Sequence, residues 1–272
     1  MIEKDFFGKL LFIHDMETAM RVLKFGGSSV SSAERIKNVM AIVKGKCDEH
    51  QQIVVVVSAF GGVTDEIIKI SHEAASGNQS YLEGLAGLKK RHFEAAEQLI
   101  APQKFGGISL YLEERFKELS DALHGVSLVK ELSPKTLDLV MSFGERLSAF
   151  IIGEALKSLI PSATFFDARE IIKTDRSFGS ARIDYDQTYP LIKKAFSDGS
   201  SVPVVTGFIG STGQGETTTL GRGGSDFTAA VIGAALDAEE IEIWTDVDGF
   251  MTADPRKVKQ ASSIPQMSYK EA

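Results

Sequence analysis

The position that most asks for a chemical explanation is Lys24. It stands on an otherwise apolar stretch, Arg21 to Phe25, directly before Gly26-Gly27-Ser28-Ser29. An unpaired buried ammonium is costly, so its charge must either be directed at the loop or reach solvent from an edge strand. Apolar strands of the same kind lead into glycines at Gly61 and Gly207. Loops of bare N–H groups before helix starts favour an anion, and phosphate is the natural one. Any doubly wound protein has glycine turns there as well, so the loops alone leave the choice open.

The stretch Thr219-Leu220-Gly221-Arg222-Gly223-Gly224-Ser225-Asp226 places a guanidinium, a hydroxyl and a carboxylate among glycines where a helix should begin. That set suits a carboxylate ligand. Ser225 or Asp226 would serve equally as a helix cap, and Arg222 as a solvated charge. Glu145 follows Gly144 within a helix, where it can pair with the neighbours of Arg146 or face a ligand ammonium. Trp244-Thr245-Asp246-Val247-Asp248-Gly249 closes a strand and suits a nucleotide base, a metal or a plain turn. G-x-x-x-x-G-K-[ST], H-R-D and D-F-G do not occur, which excludes P-loop enzymes and protein kinases as templates. Gly221-x-Gly223 continues to Asp226 where a dinucleotide fingerprint needs a third glycine.

Holding these residues together requires strands and helices in alternation. Arg21 to Phe25 reads as a strand and Ser31-x-x-Glu34 as a capping box, with Ile36, Val39, Met40 and Val43 at helical spacing up to Lys46. Ile53 to Val57 reads as a strand buried on both faces, followed by a helix to about Ala75. Helices are expected from Tyr81 to about Leu123, broken near Pro102 and Gly106-Gly107, and from Ser133-Pro134 to near Pro161. Ala163 to Asp167 and Val202 to Phe208 read as strands, separated by a polar, hairpin-like stretch from Thr174 to Asp186 and a helix after Thr188. A glycine- and threonine-rich segment covers Ile209 to Gly224. It precedes a small-residue helix from Ser225 to Leu236, a strand from Glu240 to Thr245 and a turn-rich loop from Asp246 to Arg256. Ile264 to Ala272 reads as a helix start, so the sequence is expected to continue past Ala272. The pattern is α/β throughout, with no linker dividing two domains.

Composition narrows the class. With 272 residues, 43% hydrophobic and 25% charged, the chain can build an ordinary core. Thirty Lys and Arg against 37 Asp and Glu give a net charge of −7 without a long single-sign run, so nucleic acid is not an expected partner. Cys47 is the only cysteine, which excludes a disulfide framework and a cysteine pair for metal or redox work. His14, His50, His72, His92 and His124 are scattered and read as surface residues, not as a metal site. No apolar run approaches the roughly 18 to 20 residues of a membrane span. Acidic residues through Met1 to Ala19 are unlike a signal peptide, so the cytoplasm is the expected compartment.

Taken in order, Lys24-Phe25-Gly26-Gly27-Ser28-Ser29-Val30, Val57-Ser58-Ala59 with Thr64, Gly144-Glu145, Leu220 to Asp226, and Trp244 to Gly249 with Asp254-Pro255-Arg256 resemble aspartate kinase, in the amino acid kinase family. The resemblance runs from about Arg21 to Ala272. Leu123-His124-Gly125-Val126-Ser127-Leu128 and Met267-Ser268-Tyr269-Lys270-Glu271-Ala272 are most similar to the kinase half of bifunctional aspartokinase/homoserine dehydrogenases. Acetylglutamate kinase and UMP kinase are the enzymatic rivals within the fold. A nucleotide- or partner-binding fragment without catalysis is the non-enzymatic rival.

The resemblance implies a three-layer αβα sandwich on a mainly parallel sheet, the carbamate kinase-like fold. It implies an N-terminal extension over residues 1–20 and a catalytic domain over 21–272. The implied reaction is transfer of the γ-phosphoryl of ATP, with Mg²⁺, to the side-chain carboxylate of L-aspartate, the first step of lysine, threonine and methionine synthesis. Lys24 then serves the transferring phosphoryl group with Gly26, Gly27 and Ser28, and Asp226 orients Lys24 and the substrate amine. Ser58, Thr64, Glu145, Arg222 and Ser225 fall to the substrate, and Thr245, Asp246, Met251 and Arg256 to the nucleotide. No protein-held metal is implied, since Mg²⁺ rides on the phosphates. Met251 stands where the family often has an aromatic residue, and Ser28 where threonine is commoner. The family's Gly-Ala-Lys segment, its ACT domains and any dehydrogenase would lie beyond Ala272, so this stretch alone is expected to have weak or no activity. Homo-oligomers are expected of the full-length protein.

Overall fold

In the computed structural model, residues 20–49, 52–196, 199–246, 249, 251–254, 257–268 and 270–271 are described. Of the expected 1–20 extension, residues 1–19 therefore lie outside the description, and Met20 is already the first residue of a strand. The strands are β1 (Met20–Phe25), β2 (Gln52–Val57), β3 (Ala163–Phe166), β4 (Lys173–Thr174), β5 (Val202–Thr206), β6 (Ile209–Thr212), β7 (Thr217–Thr219) and β8 (Glu240–Trp244). Between them run α1 (Ala33–Asp48), α2 (Val63–Ala75), α3 (Tyr81–Leu99), α4 (Pro102–Val129), α5 (Pro134–Leu156), α6 (Tyr185–Phe196) and α7 (Gly224–Ala235).

The main sheet has the order β3-β5-β2-β1-β8, and every neighbouring pair is parallel. Successive strand residues face opposite sides, and the two sides bury different partners. Leu23, Phe25, Ile53, Val55, Val57 and Val204 pack with the helices α1 to α5. Val22, Val54, Val56 and Val205 pack with α6 and α7. This double burial explains the unbroken apolar runs and makes the expected αβα sandwich. A smaller sheet, β4-β6-β7, pairs β4 parallel to β6 and β6 antiparallel to β7.

Several boundaries differ from the sequence expectation. Helix α4 runs unbroken through Gly106-Gly107. Each glycine costs about 1 kcal/mol against alanine, yet both sit on an open face where nothing is displaced. The stripe Ile108, Leu112, Phe116, Leu119, Leu123 and Val126 buries the other face and carries the helix. The glycine- and threonine-rich segment contains the hairpin of β6 and β7, and α6 begins at Tyr185, ahead of Thr188. Strand β5 ends at Thr206, short of Phe208. Of the expected helix start from Ile264, Tyr269 and Ala272 lie outside the described residues, and Glu271 N–H donates to Ser268 O at 3.0 Å. His92 is wholly buried, stacked on Phe60 at 4.8 Å, instead of lying on the surface.

Candidate active site

Because β1, β2 and β5 are adjacent and parallel, their following loops emerge along one edge of the sheet, where open α/β folds bind ligands. A cavity of about 500 Å³ opens there, lined by Lys24, Gly27, Ser58, Thr64, Glu145, Arg222, Ser225 and Asp226 among others. Residues from four separate sequence blocks thus meet at one concavity.

Strand alternation fixes the direction of Lys24. Val22 packs toward α7, so Lys24, two residues on, emerges on the same face. Its Nζ lies 2.5 Å from Oδ1 of Asp226, in the first turn of α7. The lysine side chain is 10% exposed and the aspartate 51%, so the pair has a buried root and an open head. The cap of α7 is Gly223 with no side-chain hydrogen bond, so neither Ser225 nor Asp226 is used as the cap. Arg222 is exposed on the cavity wall and has no ion-pair partner among the described residues.

Glu145 is the reverse case, a buried carboxyl with a gap in its bonding. Helix α5 approaches the loop after β2 so closely that a side-chain carbon on Gly144 would lie 2.8 Å from Cβ of Ala59. Glycine at 144 therefore lets Ala59 N–H donate to Glu145 Oε1 at 3.2 Å. Oε2 is buried with no hydrogen-bond partner among the described residues. Burial pushes the Glu145 carboxyl up to about 8, against the pull of the Ala59 N–H. Arg146 turns away from this site, toward Glu118 at 3.4 Å and Asp167 at 3.7 Å.

Other expected positions sit beside the cavity. Gly26 N–H donates to Trp244 O at 3.2 Å, and the Ser28 carbonyl accepts from Ser31 Oγ and Arg35 Nη1, each at 3.0 Å. Thr245 and Asp246 are exposed at the end of β8, with the threonine hydroxyl 3.0 Å from Asp246 Oδ1. Thr245 borders a second hollow of about 540 Å³ with Arg21, Lys46, Glu242 and Trp244. Met251 bridges to Ser263, away from the main cavity. Arg256 lies outside the described residues.

Sequence reasoning missed Phe60, Met141, Gly179 and Phe208, which also line the cavity. Phe208 holds a φ of 69°, a left-handed conformation unusual for an aromatic residue. Its position directly after the glycine of the third loop was the one available signal.

A sequence model described as the amino acid kinase family matches residues 19–272. Aspartokinase 1, chloroplastic, of Arabidopsis thaliana is 40% identical over 92% of this chain and 44% of its own length. The bifunctional aspartokinase/homoserine dehydrogenase 1 of the same plant is 34% identical over 92% of the chain and 28% of its own. The crystal structure of E. coli aspartokinase III with aspartate and ADP superposes with a TM-score of 0.80 at 31% identity, covering 90% of this chain and 53% of that one. The chain thus spans about half the length, or less, of these relatives.

Proposed function

The chain belongs to the amino acid kinase family, and on that premise we propose that it transfers the γ-phosphoryl of ATP to the side-chain carboxylate of L-aspartate, yielding 4-phospho-L-aspartate and ADP. The observation that carries this reading is the cavity itself. It offers a buried carboxyl oxygen on Glu145 and a guanidinium on Arg222, both unpaired among the described residues, the two groups that can grip an amino acid's ammonium and carboxylate. The similarity to an aspartokinase solved with aspartate and ADP points the same way.

The acceptor carboxylate is ionised at neutral pH and needs no general base. One of its oxygens attacks the γ-phosphorus while the bond to the β-phosphate oxygen breaks, and ADP departs with the electron pair. The protein's task is to position the reactants and balance their charge. Lys24, held by Asp226, would let its ammonium follow negative charge from the leaving to the attacking oxygen, helped by N–H groups of Gly27 and Ser28, whereas the Gly26 N–H is already given to Trp244 O. Ser58, Thr64 and Ser225 would bind the remaining substrate oxygens. Thr245, Asp246, Met251 and Arg256 would serve the nucleotide. Among the described residues no group of three or more His, Cys, Asp or Glu could hold a metal ion. Mg²⁺ would ride on the nucleotide phosphates, as the family resemblance implies.

The same proposal takes residues 21–272 as the catalytic domain of a protein that forms homo-oligomers. No described helix is long and apolar enough to cross a membrane. Cytoplasmic residence belongs to the proposal, and because the plant relatives are named chloroplastic, fractionation of cells with immunodetection tests it. The reaction is tested by coupled ADP release with Mg-ATP and, in turn, L-aspartate, N-acetyl-L-glutamate and UMP, with Lys24→Ala as control. Aspartate-dependent release, absent from the control, is expected. Release with either other acceptor instead would overturn the substrate assignment.

A further inference from the structure

We infer that Asp138 is a positioning residue for Arg222, fixing the stretch of chain that carries the guanidinium. This rests on the reading of Arg222 as a carboxylate clamp given above. Asp138 lies on α5, seven residues before Glu145, and is 0% exposed. Among the described residues no cation pairs with it. Its carboxylate accepts instead from Gly179 N–H at 2.9 Å, Thr219 N–H at 3.0 Å and the Thr219 hydroxyl at 2.8 Å.

Both partners line the cavity, and both bear on Arg222. The Thr219 carbonyl accepts from Ala181 N–H at 2.9 Å, which ties the end of β7 to the loop around Gly179. That loop packs on Gly221, where a side-chain carbon would lie 3.3 Å from Gly179 O and where φ is +77°. Arg222 is the next residue. One helix therefore carries Glu145 and also pins the guanidinium's segment. The separation between the ammonium-facing and carboxylate-facing groups is set by a single rigid element, which is what positioning demands. In the sequence Asp138 looks like an ordinary acid near a helix start.

Two variants separate bonding from charge. Asp138→Asn can keep every bond, its amide oxygen accepting both N–H groups and its NH₂ donating to the Thr219 hydroxyl. Asp138→Ala leaves the buried Thr219 N–H and the Gly179 N–H without their acceptor. Hydrogen exchange on the ligand-free chain should show Asp138→Ala exchanging faster in peptides spanning 176–182 and 217–223. Peptides over 26–32 and 58–62 should be unchanged, and Asp138→Asn should match the wild type. By calorimetry, Asp138→Ala should weaken L-aspartate binding by about 10- to 100-fold while Mg-ADP binding stays within about twofold. Normal protection in Asp138→Ala, equal weakening of both ligands, or equal damage from Asp138→Asn would overturn the inference. A wild type that binds no aspartate would sink the functional reading, while the exchange comparison would still decide whether Asp138 is the anchor. Should Asp138→Ala not fold, Thr219→Val, which removes one hydrogen bond, carries the same expectations at about threefold in aspartate affinity.

Discussion

If Glu145 receives the substrate ammonium, binding aspartate must expel a proton. In the empty site its carboxyl is held at about 8 because burial disfavours the charged form and, among the described residues, one N–H is its only partner besides its own backbone. At pH 7 such a group is about 9% ionised, and ionising it costs about 1.4 kcal/mol. A bound ammonium beside the bare Oε2 stabilises the carboxylate, so about 0.9 proton should be released per aspartate at pH 7. Affinity should then rise about ninefold from pH 6 to 7, about fivefold from 7 to 8, and level off above. Calorimetry at pH 7 in PIPES and in Tris measures the proton count from the difference in observed enthalpy. Succinate, which lacks the amine, is the control and should bind without release. Proton release below about 0.2 with aspartate, or the same release with succinate, would refute the reasoning. In Glu145→Gln the release should vanish and the affinity should be flat across this range.

Removing the ammonium in Lys24→Met should lower kcat by about 10²- to 10³-fold with KM for aspartate changed less than about threefold, read by coupled ADP release. A loss confined to KM would place Lys24 in ground-state binding. Arg222→Lys keeps the charge but loses the planar fork, and aspartate affinity should fall about tenfold in titration calorimetry. Unchanged affinity would remove Arg222 from the clamp. Burial holds His92 neutral down to about 4 against an ordinary 6.5, so the unfolded chain binds the extra proton in that interval and stability falls as pH drops through it. Glu145 acts oppositely, since the native chain keeps a proton that the unfolded chain loses above 4.5, and stability falls as pH rises toward 8. Urea midpoints should therefore be level between pH 4.5 and 6.5 and decline on either side; a midpoint climbing from 6.5 to 8 would contradict this.

The sheet edge was readable because double burial writes itself as unbroken apolar runs in β1, β2 and β5, and because the glycines follow at once. Lys24 stood out for the same reason: a charge inside such a run requires a partner, and Asp226 supplies it. The hairpin of β6 and β7 was illegible, since its strands are only four and three residues long and the glycines among its threonines break any apolar alternation. Its order comes from distant bonds such as the hydroxyl pair of Thr174 and Thr218 at 2.7 Å. His92 was misread because one isolated histidine carries no sign of the rings that enclose it, Phe60 at 4.8 Å and Phe116 at 5.5 Å. Asp138 was hidden because the donors that explain it lie 41 and 81 residues away along the chain.

The strand order also dictates how the molecule can be assembled. During synthesis β3 appears before β5, yet β5 lies between β3 and β2 in the finished sheet. A nascent chain ending near Phe166 can zip β1 to β2, but β3 then has no strand to dock on until β5 arrives and slots into the gap. Strand β8 comes later still, closing on β1 in a register that joins Arg21 to Glu240 across more than two hundred residues. Such long closures are slow steps in folding. Until α7 folds, Lys24 has no Asp226 to meet, and the phosphoryl side of the cavity is therefore among the last parts of the protein to acquire its shape.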